Sequence, residues 1–185
     1  MPVTQKMPDV RRLRQTGFRW RFPERTLHVV DIENLAGAAI PTLARVTEVQ
    51  RQYLSCLGPA AGDQVVLAAN HLALLNAGLG WPHARYRVRS GRDGADRELL
   101  DVLEHENVAA RFSHVVIGSG DGGFGHAAAG LVARGVYITV VSRWGSLAYE
   151  LAKVADNVIY LDRPLAADRP LAAVPESRVS LIDAA

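Results

Sequence analysis

The sequence predicts a single α/β domain, three layers deep, with helices on both faces of a mainly parallel sheet. Three observations lead there. Short apolar runs rich in β-branched residues alternate with stretches of helical spacing, which is the pattern of βαβ units. Hydrophobic residues make up 49% and charged residues 22% of the 185 residues, close to the averages of globular proteins and enough for one core of ordinary size. The longest apolar runs, such as His114 to Ile117 and Val136 to Val141, are far shorter than the ~20 residues of a membrane-spanning helix.

Taken in order, residues 1–25 form a basic arm, with Lys6, Arg11, Arg12, Arg14, Arg19, Arg21 and Arg25 against Asp9 and Glu24. Its net charge is +5, whereas the whole chain carries +2, so the body is acidic. Arg11, Arg12 and Arg14 suit a phosphate backbone, and Phe18, Trp20 and Phe22 suit base stacking. The alternative is a solvated leader whose aromatics pack on the domain. The body, residues 26–163, has expected strands near 27–31, 64–69, 85–89, 114–120, 136–141 and 157–161. Expected helices lie near 40–57, 71–77, 96–108, 124–134 and 145–153. Gly58 with Pro59, Gly78 with Gly80, and Gly135 punctuate helix ends, as C-terminal glycines do. Arg85, Arg87 and Arg89 alternate along the third strand and mark it as a sheet edge with one basic face. Residues 164–185 read as a Pro/Ala-rich tail in which RPLAA occurs twice, without a core of its own.

Cys56 is the only cysteine. That excludes an internal disulfide framework and a cysteine zinc cluster, and it fits a reducing compartment. A buried, inert thiol is expected there. No apolar block of the length a secretory signal needs precedes the body, so a cytoplasmic location is expected. Trp81 and Trp144 suit a core or an interface equally, and a homo-oligomer is possible on that ground.

The chemistry gathers in the acidic residues. The first strand runs into Asp31, Ile32, Glu33 and Asn34, and the fourth into Gly118, Ser119, Gly120 and Asp121. Ligands of doubly wound sheets bind outside the carboxyl ends of strands where the order reverses. With a strand order of about 3-2-1-4-5, that point falls between strands 1 and 4, placing Asp31 and Asp121 about 5 Å apart at the backbone. Asp96 opens a helix and shares a face with Leu99, Leu100 and Leu103. Its preceding loop is long enough to bring it to the same edge. Three converging carboxylates repel unless a cation offsets them, and oxygen-only ligands favour Mg²⁺ or Mn²⁺. Each residue also has a structural reading: turn cap for either strand-end Asp, helix start for Asp96, Asx turn for Asn34.

These residues resemble the NYN family, a branch of the PIN-like nucleases. The resemblance rests on HVVDIENL at 28–35, GADRELLDVL at 94–103, the segment 115–142 around IGSGDGGFG, and LAYELAKVADNVIYLD at 147–162. It implies a Rossmann-like fold and a metal site at Asp31, Asn34, Asp96 and Asp121, with Asp31, Asp96 and Asp121 as ligands. Ser119 would support the loop and lie at the nucleic acid. It further implies an endoribonuclease in which a metal-activated water attacks phosphorus and leaves a 5′-phosphate. One position departs from the family pattern: its second loop Asp is Gly123 here. Glu33 is the residue placed to compensate, and Asp101 falls on the solvated face. The alternative implied by Gly123 is a degenerate nucleic-acid-binding or regulatory module, reading RNA through the arm and through Arg85, Arg87 and Arg89.

Three other patterns carry less. Gly118, Gly120 and Gly123 match a GxGxxG spacing, but Asp121 would face a bound pyrophosphate. Gly120, Asp121 and Gly122 resemble the last loop of a haloacid dehalogenase phosphatase, yet the only lysines are Lys6 and Lys153, neither of which precedes that loop closely. His126 follows the acidic loop and suits a phosphate contact or a helix cap.

Overall fold

The computed structural model describes residues 25–162, apart from Pro59 and Ala61. In chain order the elements are β1 (Thr26–Asp31), α1 (Ile32–Ala36), α2 (Leu43–Leu57), β2 (Gln64–Ala69), α3 (Leu74–Gly80) and β3 (Arg85–Val88). Then come α4 (Gly94–His105), α5 (Val108–Arg111), β4 (His114–Gly118), a 3-10 turn (Gly122–Phe124), α6 (Gly125–Val132), β5 (Tyr137–Ser142), α7 (Tyr149–Ala152) and β6 (Asn157–Tyr160). The six strands form one sheet in the order β3-β2-β1-β4-β5-β6, every pair parallel. This is the expected order, with the sixth strand added beyond β5. The basic arm and the C-terminal tail lie outside the described residues.

Successive strand residues point to opposite faces, and here both faces are covered. On one side Val29, Ile117 and Val140 pack with Leu99 and Leu103 of α4 and Leu131 of α6. On the other Val30, Val116 and Val141 pack with Leu35 of α1 and Val46, Val49 and Tyr53 of α2. Central parallel strands buried on both faces need apolar side chains at every position, which is why β1, β4 and β5 read as continuous runs. Trp81 belongs to this core, 2% exposed, with its ring edge-on to Tyr53 at 5.1 Å. Trp144 is 43% exposed. Cys56 is half-buried rather than enclosed.

The boundaries moved where local bonds overrode periodicity. Helix α2 starts at Leu43 because the Thr42 hydroxyl caps it, accepting the Arg45 N–H at 3.2 Å. The expected helix 96–108 is two helices, broken at Asn107, whose φ of 53° is left-handed. The expected helix 145–153 is only α7, because residues 143–148 are a loop tied down by the Ala148 N–H on the Gly120 carbonyl at 2.9 Å. Strand β4 stops at Gly118, two residues early, because its next residues turn toward Asn34.

Strand β3 is an edge, as its sequence predicts, and the arginines on it and after it form ion pairs within the protein. Arg85 is ion-paired with Glu106, Arg87 with Asp101 at 3.0 Å and Glu106 at 3.1 Å, and Arg89 with Glu98 at 3.8 Å. The basic face expected from the sequence is thus lined by ion pairs, with the Arg89 side chain still half exposed. Asp101 likewise lies on the exposed side of α4 but is paired, with Arg87 and His105.

Candidate metal site at the carboxyl edge of the sheet

Asp31 is the last residue of β1 and is 5% exposed. Its Oδ1 accepts the N–H groups of Glu33 at 3.0 Å and Asn34 at 3.1 Å, so the carboxyl caps α1 and is held in one orientation. The unforeseen helix α1 exists because of this cap. The segment Ile32–Ala36 then closes at Gly37 in a left-handed conformation, φ 71°.

Asp96 lies in the first turn of α4. Gly94 brings the helix start close: a Cβ there would meet the Arg89 carbonyl oxygen at 2.4 Å, so only glycine lets the loop fold this tightly. Asp96 faces the sheet edge, and its Oδ1 is buried without a hydrogen-bond partner. The Asp31 and Asp96 carboxyls interact directly. Burial first, and then the Asp96 carboxyl, hold Asp31 well above the ordinary carboxylate range, against the lowering effect of the Asn34 N–H. Burial also raises Asp96, against the lowering effect of its hydrogen bond with Asp31, and the charges of Asp121 and Asp93 add to the rise. Two carboxyls pushed toward the neutral acid, one with an orphaned oxygen, are a site short of positive charge.

Asp121 follows β4, is exposed, and caps the 3-10 turn, its Oδ1 accepting the Gly123 N–H at 2.7 Å. The Ser119 hydroxyl accepts the Asp121 N–H at 3.2 Å. Ser119 is fully buried, so its hydroxyl supports the loop from beneath and does not present a surface contact. Asn34 joins the two acidic loops: its Oδ1 accepts the Gly120 N–H at 2.9 Å, and its carbonyl accepts from Arg143 Nε at 3.0 Å. Glu33 turns to the same edge but is anchored, its Oε1 accepting the Asn70 N–H at 2.5 Å. Burial raises its pKa, and its charge reaches both Asp31 and Asp96.

The expected trio is thus arranged as a contacting pair, Asp31 and Asp96, with Asp121 acting on Asp96 through charge. Among the described residues no three His, Cys, Asp or Glu side chains are gathered into a group that would by itself hold a metal ion. The residues still fit a divalent cation as far as the pair goes: a buried orphaned carboxylate oxygen beside a second raised carboxyl is a hard-oxygen donor set. At Gly123 a Cβ would lie 3.1 Å from Asp121 Oδ1, with no other atom within 4 Å. A side chain there would enter open space beside Asp121.

Arg143 is a residue of this edge that is not among the site residues expected from the sequence. It directly follows Ser142, the end of β5, and lies against Gly37 as well as Asn34. Its position after a strand end is the signal that identifies it, the same signal that marked Asp31 and Asp121. His126 is exposed in the first turn of α6. Arg11, Arg12 and Arg14 lie outside the described residues. The dinucleotide pattern finds no support, because the Asp121 carboxylate occupies the Gly123 N–H that a pyrophosphate would need.

A three-layer α/β domain with carboxylates at the ends of β1 and β4 and the start of α4 is of the PIN-like, nuclease-type class. The chain belongs to the NYN domain family, whose model matches residues 48–162. Asp96, Ser119, Asp121 and Gly123 fall inside the matched span, and Asp31 and Asn34 precede it. NYN nuclease domains generally depend on a divalent metal. No curated protein matches the chain. The fold is similar to that of a protein of unknown function from Vibrio parahaemolyticus, with a TM-score of 0.51 and 17% identity. That similarity covers 78% of this chain and 97% of the other. No helix among the described residues is long and apolar enough to cross a membrane.

Proposed function

We propose that this protein is a metal-dependent endoribonuclease that takes Mg²⁺ or Mn²⁺ at the carboxyl edge of its sheet. The observation that carries this reading is the pairing of buried Asp31 with half-buried Asp96, whose enclosed Oδ1 has no partner, beside the exposed Asp121. Asp31 and Asp96 would hold the cation, with the charge of Asp121 adding to the site. When bound, a divalent cation supplies an activated water and offsets charge developing on the phosphate.

The chain's own residues do the positioning. Asp31 is fixed by its two N–H bonds, Asn34 fixes the Gly120 loop to the β1 end, and Ser119 holds the Asp121 backbone. Asp121, exposed, meets the substrate side and orients the attacking water. Water adds to phosphorus, the bond to the 3′ oxygen breaks, and the products carry a 5′-phosphate and a 3′-hydroxyl. The basic arm, through Arg11, Arg12 and Arg14, adds phosphate contacts.

Gly123 supports a second reading, a nucleic-acid-binding module that has lost turnover. End-labelled single-stranded RNA incubated with the full chain in Mg²⁺, Mn²⁺ or EDTA separates the two. The nuclease reading expects cutting in either metal, none in EDTA, and loss on Asp121→Asn. Intact RNA with a persistent mobility shift would leave the binding module.

A further inference from the structure

The rim that carries Asp31, Glu33, Asp96 and Asp121 presents like charge to an approaching phosphodiester, and Arg143 is a cation there that ion pairs do not consume. Arg85, Arg87 and Arg89 each have a carboxylate partner. Among the described residues Arg143 has none, and its side chain makes one hydrogen bond, from Nε to the Asn34 carbonyl at 3.0 Å.

The side chain is nevertheless held in place. It is half-buried, and its guanidinium lies against Gly37, where a Cβ would come 2.7 Å from Nη1 and 2.9 Å from Cζ. Gly37 is left-handed, φ 71°, so glycine serves the turn and the arginine together. The backbone behind Arg143 is fixed too. Its carbonyl accepts the Ser146 N–H at 3.1 Å, and a Cβ at Gly120 would overlap the Ser146 carbonyl oxygen and lie 2.6 Å from Ser142 Oγ. Asn34 closes the frame, holding Arg143 through its carbonyl and the Gly120 N–H through its Oδ1 at 2.9 Å. Arg143 is thereby braced between α1, which Asp31 caps, and the loop that runs into Asp121.

The bond to Asn34 alone would make Arg143 a cap for the end of α1. A cap uses one of the five guanidinium N–H donors and leaves the charge without a partner. Taking a cation partly out of water without a counter-charge is unfavourable, and the planar fork of a guanidinium matches two oxygens of a phosphate.

We propose that Arg143 binds the RNA backbone, its remaining N–H groups taking the non-bridging oxygens of a phosphodiester seated between α1 and the Asp121 loop. This rests on the nucleic-acid reading above and adds the contact that sets the strand's path past the carboxylates. A phosphate contact positions a strand without reading its bases.

The test measures binding by fluorescence anisotropy in EDTA, which prevents turnover, using the full chain and a labelled single-stranded RNA of about twelve nucleotides. Titrations at salt from about 50 to 200 mM give the slope of log affinity against log salt. Arg143→Gln should weaken binding several-fold and make that slope shallower by about 0.7, the change for one phosphate contact on a single strand, while Arg143→Lys, which keeps the charge, should retain the slope. Strands carrying one uncharged methylphosphonate linkage each supply a second readout. Neutralising one particular linkage should cost the wild-type chain a similar factor and cost Arg143→Gln nothing further, a result that a merely structural role would not give. Weaker binding by Arg143→Gln with the slope unchanged marks a cap only and overturns the proposal. Indifference of the wild-type chain to every single methylphosphonate also overturns it, and this arm stands even if Arg143→Gln fails to fold. Inorganic phosphate that raises the melting temperature of the wild-type chain but not of Arg143→Gln, while their RNA slopes coincide, makes this a site for free phosphate and overturns the RNA contact. A wild-type chain that binds no RNA at all removes both this contact and the function it rests on, so the two failures are distinguishable.

Discussion

Asp31 does two jobs that a substitution separates. Its Oδ1 caps α1, while its charge is buried next to Asp96. Asparagine keeps an acceptor for the cap and removes the charge, so Asp31→Asn should raise stability in EDTA by about 1 kcal/mol, as at sites kept for activity against stability. Alanine loses the cap as well and should lack that gain. Thermal melts of the two variants check this, and a lower melting temperature for Asp31→Asn would contradict it. Gly123 offers the complementary change. A carboxylate introduced there enters open space beside Asp121, and each added oxyanion deepens a hard-cation site. Gly123→Asp should tighten Mn²⁺ binding roughly tenfold by titration calorimetry; unchanged affinity would place position 123 outside the site.

At this scale the acidic residues were legible because each occupies a position that topology fixes, the end of a strand or the first turn of a helix. What was not legible was rotamer and partner. Nothing in the sequence says that Asp121 turns onto the Gly123 N–H, or that Glu33 is claimed by Asn70, far along the chain.

Among elements, the amino end of the sheet has its own chemistry. His114 at the start of β4 bonds Thr139 of β5 at 2.9 Å, and His28 of β1 bonds the Tyr53 hydroxyl of α2 at 3.0 Å. Burial, and then the charge of His28, lower the His114 pKa from 6.5 to about 4, against a raising effect from Asp63. The unfolded chain therefore binds this proton first as pH falls. The stability it represents is complete above pH 6.5 and is lost between 6.5 and 4, on the order of 3 kcal/mol for one group across that interval. Asp63 responds separately. Burial alone would raise it, but His28 and the N–H groups of Ala60 and Thr26 bring it down to about 2, so its contribution disappears only below about pH 4. Denaturant titrations from pH 7 to 4 should show the first decline, and His114→Gln should flatten it. A pH-independent midpoint over that range would contradict the assignment.

Strand positions were readable from β-branched runs, and the edge placement of β3 from its alternation of arginines. The helices were less so. Periodicity marks a face but not an end, and the ends here are set by Thr42, Asn107 and the Gly120–Ala148 bond. The destination of Arg85, Arg87 and Arg89 was hidden for the same reason: their partners Glu98, Asp101 and Glu106 are contributed by α4 and the residue after it.

At the scale of the whole molecule, the parallel order β3-β2-β1-β4-β5-β6 places every strand's carboxyl end on one rim. Residues as distant in sequence as Asp31, Asp96, Asp121 and Arg143 share that rim because each follows a strand or opens the helix after one. The opposite rim carries the buried histidines, so stability and the proposed chemistry occupy opposite ends of the same sheet. This separation is why His114 substitutions should alter melting without altering metal affinity, and why Asp31→Asn should affect both.

The central claim is that the Asp31–Asp96 pair is a divalent-cation site, and titration calorimetry of the metal-stripped full chain with Mn²⁺ tests it most directly. The account predicts saturable binding that releases protons below neutral pH, because raised carboxyls must ionise to bind, together with loss of the signal in Asp96→Asn. Binding that is absent from the wild-type chain, or that survives Asp96→Asn unchanged, would contradict it.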